Sequence, residues 1–295
     1  MKIGVALSGG GIKSYAQLPV LKAMDDVGLE IDYISGTSMG SAVAALIASG
    51  IHIDEVYDLA LEVEAEMIKT KVFVKPSPKI LPFSKEKIHG GYVDGQILED
   101  IIEKVLKEYG VYHISDVKIP IAIPSVDLIS GRIVVFTSHP EKFKAHKNWD
   151  VISDITLAKA VRASCSFPLV ISALELGDYQ LADGGIKMNL PSLLLKAYNV
   201  EKIIAVTMTS GAGFDDIKSI LATGNRVYDL MVESYDELMA DHVDLMINVP
   251  VGDIWVFELG RGQDVINEGE MVAKKARESL YQLKEKPSLF ERLFK

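Results

Sequence analysis

Tyr33-Ile34-Ser35-Gly36-Thr37-Ser38-Met39-Gly40 is the stretch on which the reading of the fold turns. Tyr33–Ser35 has the character of a short strand, and Met39–Ser49 is small and apolar, a buried helix stopped by Gly50. Between them, Gly36 to Gly40 form a Gly-x-Ser-x-Gly in the strand-to-helix context that a nucleophile elbow requires. On so tight a turn the serine takes a strained backbone conformation. Side chains two residues to either side would collide, which accounts for Gly36 and Gly40. The turn lifts the Ser38 hydroxyl to a helix N-terminus, where the dipole favours developing negative charge. A glycine-flanked turn whose serine merely caps the helix has the same pattern; the flanking elements favour the catalytic reading.

Upstream, Ile3–Leu7 reads as a buried strand that ends in Ser8 and three glycines. Tyr15–Val27 has helical spacing (Leu18, Leu21, Met24) and is closed by Gly28; Pro19 is tolerable if the helix begins near Tyr15, because first-turn N–H groups lack partners anyway. The opening is thus strand, glycine turn, helix, strand, sharp turn, helix, which predicts an α/β fold with a parallel sheet. Downstream, helices are expected at Asp54–Met67 (N-cap Asp54), Gln96–Lys107, Thr156–Ala163, Ile217–Met239 and Val265–Leu283. Ile119–Leu128 and Arg132–Thr137 flank Ser130-Gly131 as a hairpin or adjacent strands; Val170–Leu176 is extended, and Lys202–Thr209 and Leu245–Val249 are core strands. Residues 69–95 carry three prolines and two adjacent glycines without periodicity, and read as a loop or lid-like excursion. With no repeat or linker, residues 1–295 are expected to form one domain.

A net charge of −10 argues against general nucleic-acid binding. The single cysteine, Cys165, excludes an internal disulfide and a Cys-based metal site. The N-terminal apolar run is too short for a signal peptide, and the longest apolar run, around Ala42–Ala48, is far below spanning length. A cytoplasmic protein that meets lipid only at a surface is the expectation. In the tail 284–295, Leu289, Phe290, Leu293 and Phe294 share a helical face ringed by Lys286, Arg292 and Lys295, a pattern for an interfacial anchor or, more simply, a docked terminal helix.

Two further motifs bear on chemistry. Ser8-Gly9-Gly10-Gly11-Ile12-Lys13-Ser14 follows the first strand. A P-loop needs Gly-Lys-Ser, and Ile12 stands before Lys13, so that reading fails. A dinucleotide turn would want glycine at Ser14 and an acid such as Glu30 or Asp32 further on. A third reading is an oxyanion hole made by the Gly10 and Gly11 N–H groups, and a fourth a simple tight turn. Leu181-Ala182-Asp183-Gly184-Gly185, taken alone, is a turn.

Together these motifs resemble the patatin-like phospholipase family: a glycine loop (Gly9–Lys13), the elbow (Gly36–Gly40) and a distant Asp-Gly-Gly (Asp183–Gly185), in that order. Val161-Arg162-Ala163-Ser164-Cys165-Ser166-Phe167-Pro168 resembles the family's Arg-Ala-Ser…Pro segment, and the likeness spans about residues 2–191. Ser14 and Lys13 depart from the usual glycine and arginine. The resemblance implies a three-layer α/β/α fold with a mostly parallel central sheet and a Ser–Asp dyad, Ser38 as nucleophile and Asp183 as base. It implies a lipid acyl-ester substrate, an acyl-enzyme, and no cofactor or metal. Of the six histidines, only His242 follows Asp183 and would complete a Ser…Asp…His order. An acyltransferase using Ser38, or a nucleotide- or anion-binding module built on the glycine loop, are the alternative functions. Oligomeric state is open.

Overall fold

The computed structural model describes residues 1–73, 75–81, 83–85, 87–210 and 220–284. Strands are β1 (Ile3–Leu7), β2 (Tyr33–Gly36), β3 (Gly91–Val93), β4 (Ile121–Asp127), β5 (Ile133–Thr137), β6 (Trp149–Ile152), β7 (Leu169–Ile171), β8 (Leu174–Leu176), β9 (Tyr179–Asp183), β10 (Lys202–Thr209) and β11 (Leu245–Pro250). Helices are α1 (Leu18–Asp26), α2 (Met39–Ala48), α3 (Ile53–Thr70), α4 (Gln96–Glu108), α5 (Leu157–Ser164), α6 (Gly185–Met188), α7 (Ser192–Ala197), α8 (Ile220–Met239) and α9 (Gly262–Lys284).

The central sheet runs β11-β10-β1-β2-β4-β5-β6, with β9 joined to β4 and β8 to β9. Pairing is parallel except at β4–β5, β4–β9 and β8–β9. Every residue of β1 is buried, as a strand covered on both faces must be. Side-chain alternation then sorts the core into two layers. Val5, Leu7, Ile204 and Val206 join the apolar faces of α1–α5 and α9. Ala6, Ala205 and Ile203 face the other way, toward α6, α7 and Met239 of α8. Three layers result, as the resemblance implies.

Several local expectations need correcting. The helix after the glycine loop begins at Leu18, preceded by a tight 3-10 turn over Gly11–Gln17, so Pro19 sits in its first turn. The cap of α3 is His52, whose ring accepts the Asp54 N–H, while Asp54 lies inside the first turn where its charge suits the dipole. Val170–Leu176 is not one extended segment: β7 pairs with β3 in a separate two-stranded sheet, and β8 pairs with β9. The 69–95 excursion therefore contains a strand, β3, and a 3-10 turn at Pro78–Ile80. Residues 217–219, expected to open a helix, and residues 285–295 of the tail lie outside the described residues.

Candidate active site

The register of β4 explains how two motifs 145 residues apart meet. β2 runs parallel to β4, with Ser35 opposite Ala122; β9 runs the other way along the same edge, with Asp183 opposite Ser125. The two strands thus approach head-on and both turn away beside Pro124. Ile121 directs its N–H and C=O toward Ser138, on the β5 side, so alternation points those of Pro124 into the gap between β2 and β9. A proline is tolerated mid-sheet there because no strand asks for its missing N–H.

At the end of β2, Ser38 takes φ 50 and ψ −132, a left-handed φ that serine rarely adopts. The flanking glycines are required by close approach: a Cβ on Gly36 would stand 2.4 Å from the Gly40 carbonyl oxygen, and one on Gly40 2.4 Å from that of Ser8. The Ser38 Oγ donates to Asp183 Oδ2 at 2.7 Å. Asp183 Oδ1 accepts from the Gly185 N–H at 2.8 Å. The Arg-Ala-Ser segment stitches both motifs together. Ser38 N–H donates to Ser164 Oγ (2.9 Å), which donates to the Pro124 carbonyl (2.6 Å), while Asp183 N–H and Gly184 N–H donate to the carbonyls of Ser166 and Ser164.

Asp183 is fully buried, and burial raises its pKa from 3.8 to about 7, against the smaller opposing pull of the Ser38 and Gly185 hydrogen bonds. A carboxyl poised near neutrality beside a hydroxyl can accept a proton from it. Cys165 lines the same cavity, but burial, then the Asp183 charge, pushes its thiol up, so it is a neutral wall group.

In the glycine loop, Gly9 N–H donates to the Asn189 carbonyl and Ile12 N–H to that of Val256. Among the described residues the intervening Gly10 and Gly11 N–H groups meet no protein acceptor, and both glycines line the cavity that holds Ser38. Lys13 does not reach that cavity. It is buried, donates to Ser210 Oγ at 2.8 Å, and lies 3.7 Å from Asp229. The dinucleotide reading fails in the structure, because Asp32 accepts the Ile3 N–H at the opposite end of β1 from the loop. His242 lies on an exposed 3-10 turn with its Nδ1 3.0 Å from Lys196 Nζ, and is not a partner of Asp183.

The cavity has about 570 Å³ of empty space, counting its open mouth. Met39, Met67, Phe73, Leu98, Phe167 and Phe257 wall it, an apolar lining suited to an acyl chain. Sequence reasoning missed three contributors. Ser164 was visible within the Arg-Ala-Ser segment but had no role there. Asn189 anchors Gly9, and Tyr228 lines the cavity from α8, its phenol pushed up by burial and by Asp183. Nothing in the sequence ties either one to Ser38.

The family model for patatin-like phospholipases matches residues 5–195. Among curated relatives, the YqhO protein of Bacillus subtilis is 24% identical, covering 86% of this chain and 89% of that one. An NTE family protein of Mycobacterium tuberculosis is 28% identical over 70% of this chain, which spans 49% of that relative. Lysophospholipase NTE1 of Mycosarcoma maydis is 27% identical over 77% of this chain, which spans 10% of it. Among solved structures, VipD from Legionella pneumophila shares the fold, with a TM-score of 0.53 at 14% identity, over 94% of this chain and 67% of that one. With its three motifs brought to one cavity and matched by the family model, the chain belongs to the patatin-like phospholipase family, a family of lipid-ester hydrolases.

Proposed function

We propose that the protein hydrolyses lipid acyl esters through a Ser38–Asp183 dyad and an acyl-enzyme. The observation that carries this reading is the 2.7 Å hydrogen bond from Ser38 Oγ to a buried carboxylate whose pKa lies near neutrality. Asp183 Oδ2 takes the Ser38 proton as Oγ attacks the ester carbonyl. The carbonyl oxygen, now negative, is held by the Gly10 and Gly11 N–H groups. Removing one such donor typically costs ~3–4 kcal/mol of barrier. The C–O bond to the alcohol breaks and Asp183 returns the proton to the departing oxygen. A water then gives its proton to Asp183 and attacks the acyl-serine, the bond from the acyl carbon to Ser38 Oγ breaks, and Asp183 returns the proton to Oγ as the acid leaves. The lysophospholipase relative and the apolar walls support a phospholipid or lysophospholipid as substrate. Residues 1–295 are read as one domain for this purpose.

Fluorophosphonate labelling with mass-spectrometric assignment tests the reading. Ser38 is the expected adduct site, and Ser38→Ala abolishes both labelling and nitrophenyl-ester hydrolysis. Unlabelled wild-type protein would count against the dyad. Transfer of the acyl group to an added alcohol or thiol in preference to water would convert the proposal into acyl transfer by the same serine.

A further inference from the structure

The geometry points to a docking surface for an anionic phospholipid bilayer, formed by the 69–95 excursion together with Leu169. This deepens the lipid-hydrolase reading and rests on it for the choice of partner.

Charge is the first observation. The chain carries −10 overall, yet residues 69–95 hold six lysines (69, 71, 75, 79, 85 and 87) against two acids, Glu86 and Asp94. Lys71, Lys75, Lys85 and Lys87 are exposed, and among the described residues none of the four has a carboxylate partner. Such a cationic island on an acidic protein complements a negatively charged surface and little else on this molecule.

Apolar exposure on the same segment is the second. Phe83 is 97% exposed, Leu81 56% and Ile80 45%. Leu169 is 82% exposed and is held there in a left-handed conformation, φ 69, that bulky residues avoid. The contacts gather these groups. Leu169 pairs with Gly91 and donates its N–H to Gly90, while Ser77 N–H donates to Tyr92 and Lys79 pairs with Asp94. Single exposed apolar residues are ordinary, but several large ones on one short, lysine-rich segment are the pattern of an interfacial surface.

Its position is the third. Phe73, at the start of the excursion, lies 4.7 Å from Phe257, and Phe167, two residues before Leu169, lies 5.3 Å from the same ring. All three rings wall the cavity that holds Ser38. The excursion and the strand that carries Leu169 therefore both adjoin the cavity wall, so a bilayer docked on them would lie close to the opening.

Vesicle co-sedimentation of the full chain, at 0.1 and 1 M salt, tests this. Phosphatidylcholine vesicles are compared with vesicles containing phosphatidylglycerol. Each lysine near an anionic surface is worth about fivefold in partitioning. The triple variant Lys75→Gln, Lys85→Gln, Lys87→Gln is expected to lose roughly a hundredfold in binding to the anionic vesicles. Phe83→Ser is expected to weaken binding while keeping the salt dependence. High salt, with a Debye length of about 3 Å, should abolish the preference for anionic lipid. Equal wild-type binding to both vesicle types, or unchanged binding by the triple variant, overturns the inference. So does a change in oligomeric mass in the variants without a change in vesicle binding, which would assign the surface to a second copy of the chain. Hydrolysis of a monomeric short-chain ester should be unchanged in both variants. Wild-type protein that binds anionic vesicles but cleaves no ester would sink the hydrolase reading and leave this surface standing.

Discussion

Among the described residues no cation neutralises Asp183, which is fully buried, and that is costly to the fold. Between pH 3.8 and about 7 the folded chain holds a proton that the unfolded chain has released, so stability falls as pH rises through that window. Asp183→Asn removes the buried charge and keeps an acceptor for Gly185. Urea unfolding should show the variant more stable than wild type by about 2–4 kcal/mol at pH 8, with the gap closing toward pH 4. Its esterase rate should fall by roughly a thousandfold or more. In the proposed mechanism the deprotonated carboxylate is the base, so kcat/KM should rise with pH up to about 7 and level off above it. A profile flat from pH 5 to 8 would exclude Asp183 as the group that takes the proton. Ser164 acts only through others: its hydroxyl bridges Ser38 N–H to the Pro124 carbonyl. Ser164→Ala leaves two buried groups unpaired and should cost about 1–3 kcal/mol, read as a lowered unfolding midpoint, with a fall in kcat larger than any change in KM.

At the scale of the element, the strand–turn–helix unit around Ser38 was legible because its constraint is local. Two glycines, a small apolar helix and a short strand state the sterics of one turn. Gly40 is as tight a joint as Gly36, since the first turn of α2 lies there directly against the Ser8 carbonyl of the loop after β1. Gly40→Ala should therefore force α2 away from β1 and cost about 1–3 kcal/mol, measured by thermal unfolding, with loss of fluorophosphonate labelling as Ser38 moves. The β4–β5 hairpin was legible for a similar reason, a turn dipeptide between two apolar runs. The short strands β3 and β6 were not, and β7 was legible only as part of one extended stretch. They have only three or four residues each, and pairing with distant partners, not their own pattern, makes them strands. Asp183 belongs to the same class: by sequence a turn residue, in the fold the last residue of a strand that meets β2 end to end.

At the scale of the molecule, the motif-bearing stretch is not where the sheet ends. The family model stops at residue 195, yet β1 pairs along its whole length with β10, from Ile3 opposite Lys202 to Leu7 opposite Val206. β10 in turn pairs with β11, and α9 packs over α1 and the turn after the glycine loop. A chain cut after residue 195 keeps all three motifs but exposes the edge of β1 that β10 covers and the surface of α1 that α9 covers. It should show no cooperative unfolding transition by circular dichroism and no esterase activity. A folded, active fragment would mean that β10 and α9 decorate the fold without supporting it. The cavity wall makes the same point, since Phe257 comes from beyond the matched region.

The sequence by itself determined the α/β class, the elbow at Ser38, the glycine loop before it and, through family resemblance, the pairing of Ser38 with Asp183. The elbow and the glycine loop are each encoded by residues within one turn of each other, where sterics leave few solutions, whereas the pairing came from the resemblance alone. Only the tertiary structure decided that Ser38 Oγ and Asp183 Oδ2 are 2.7 Å apart, that burial lifts the carboxyl toward neutrality, and that Lys13 turns away from the cavity toward Ser210 and Asp229. Those properties depend on desolvation and on the register of β2 and β9 along β4, both of which come from residues far apart in the chain.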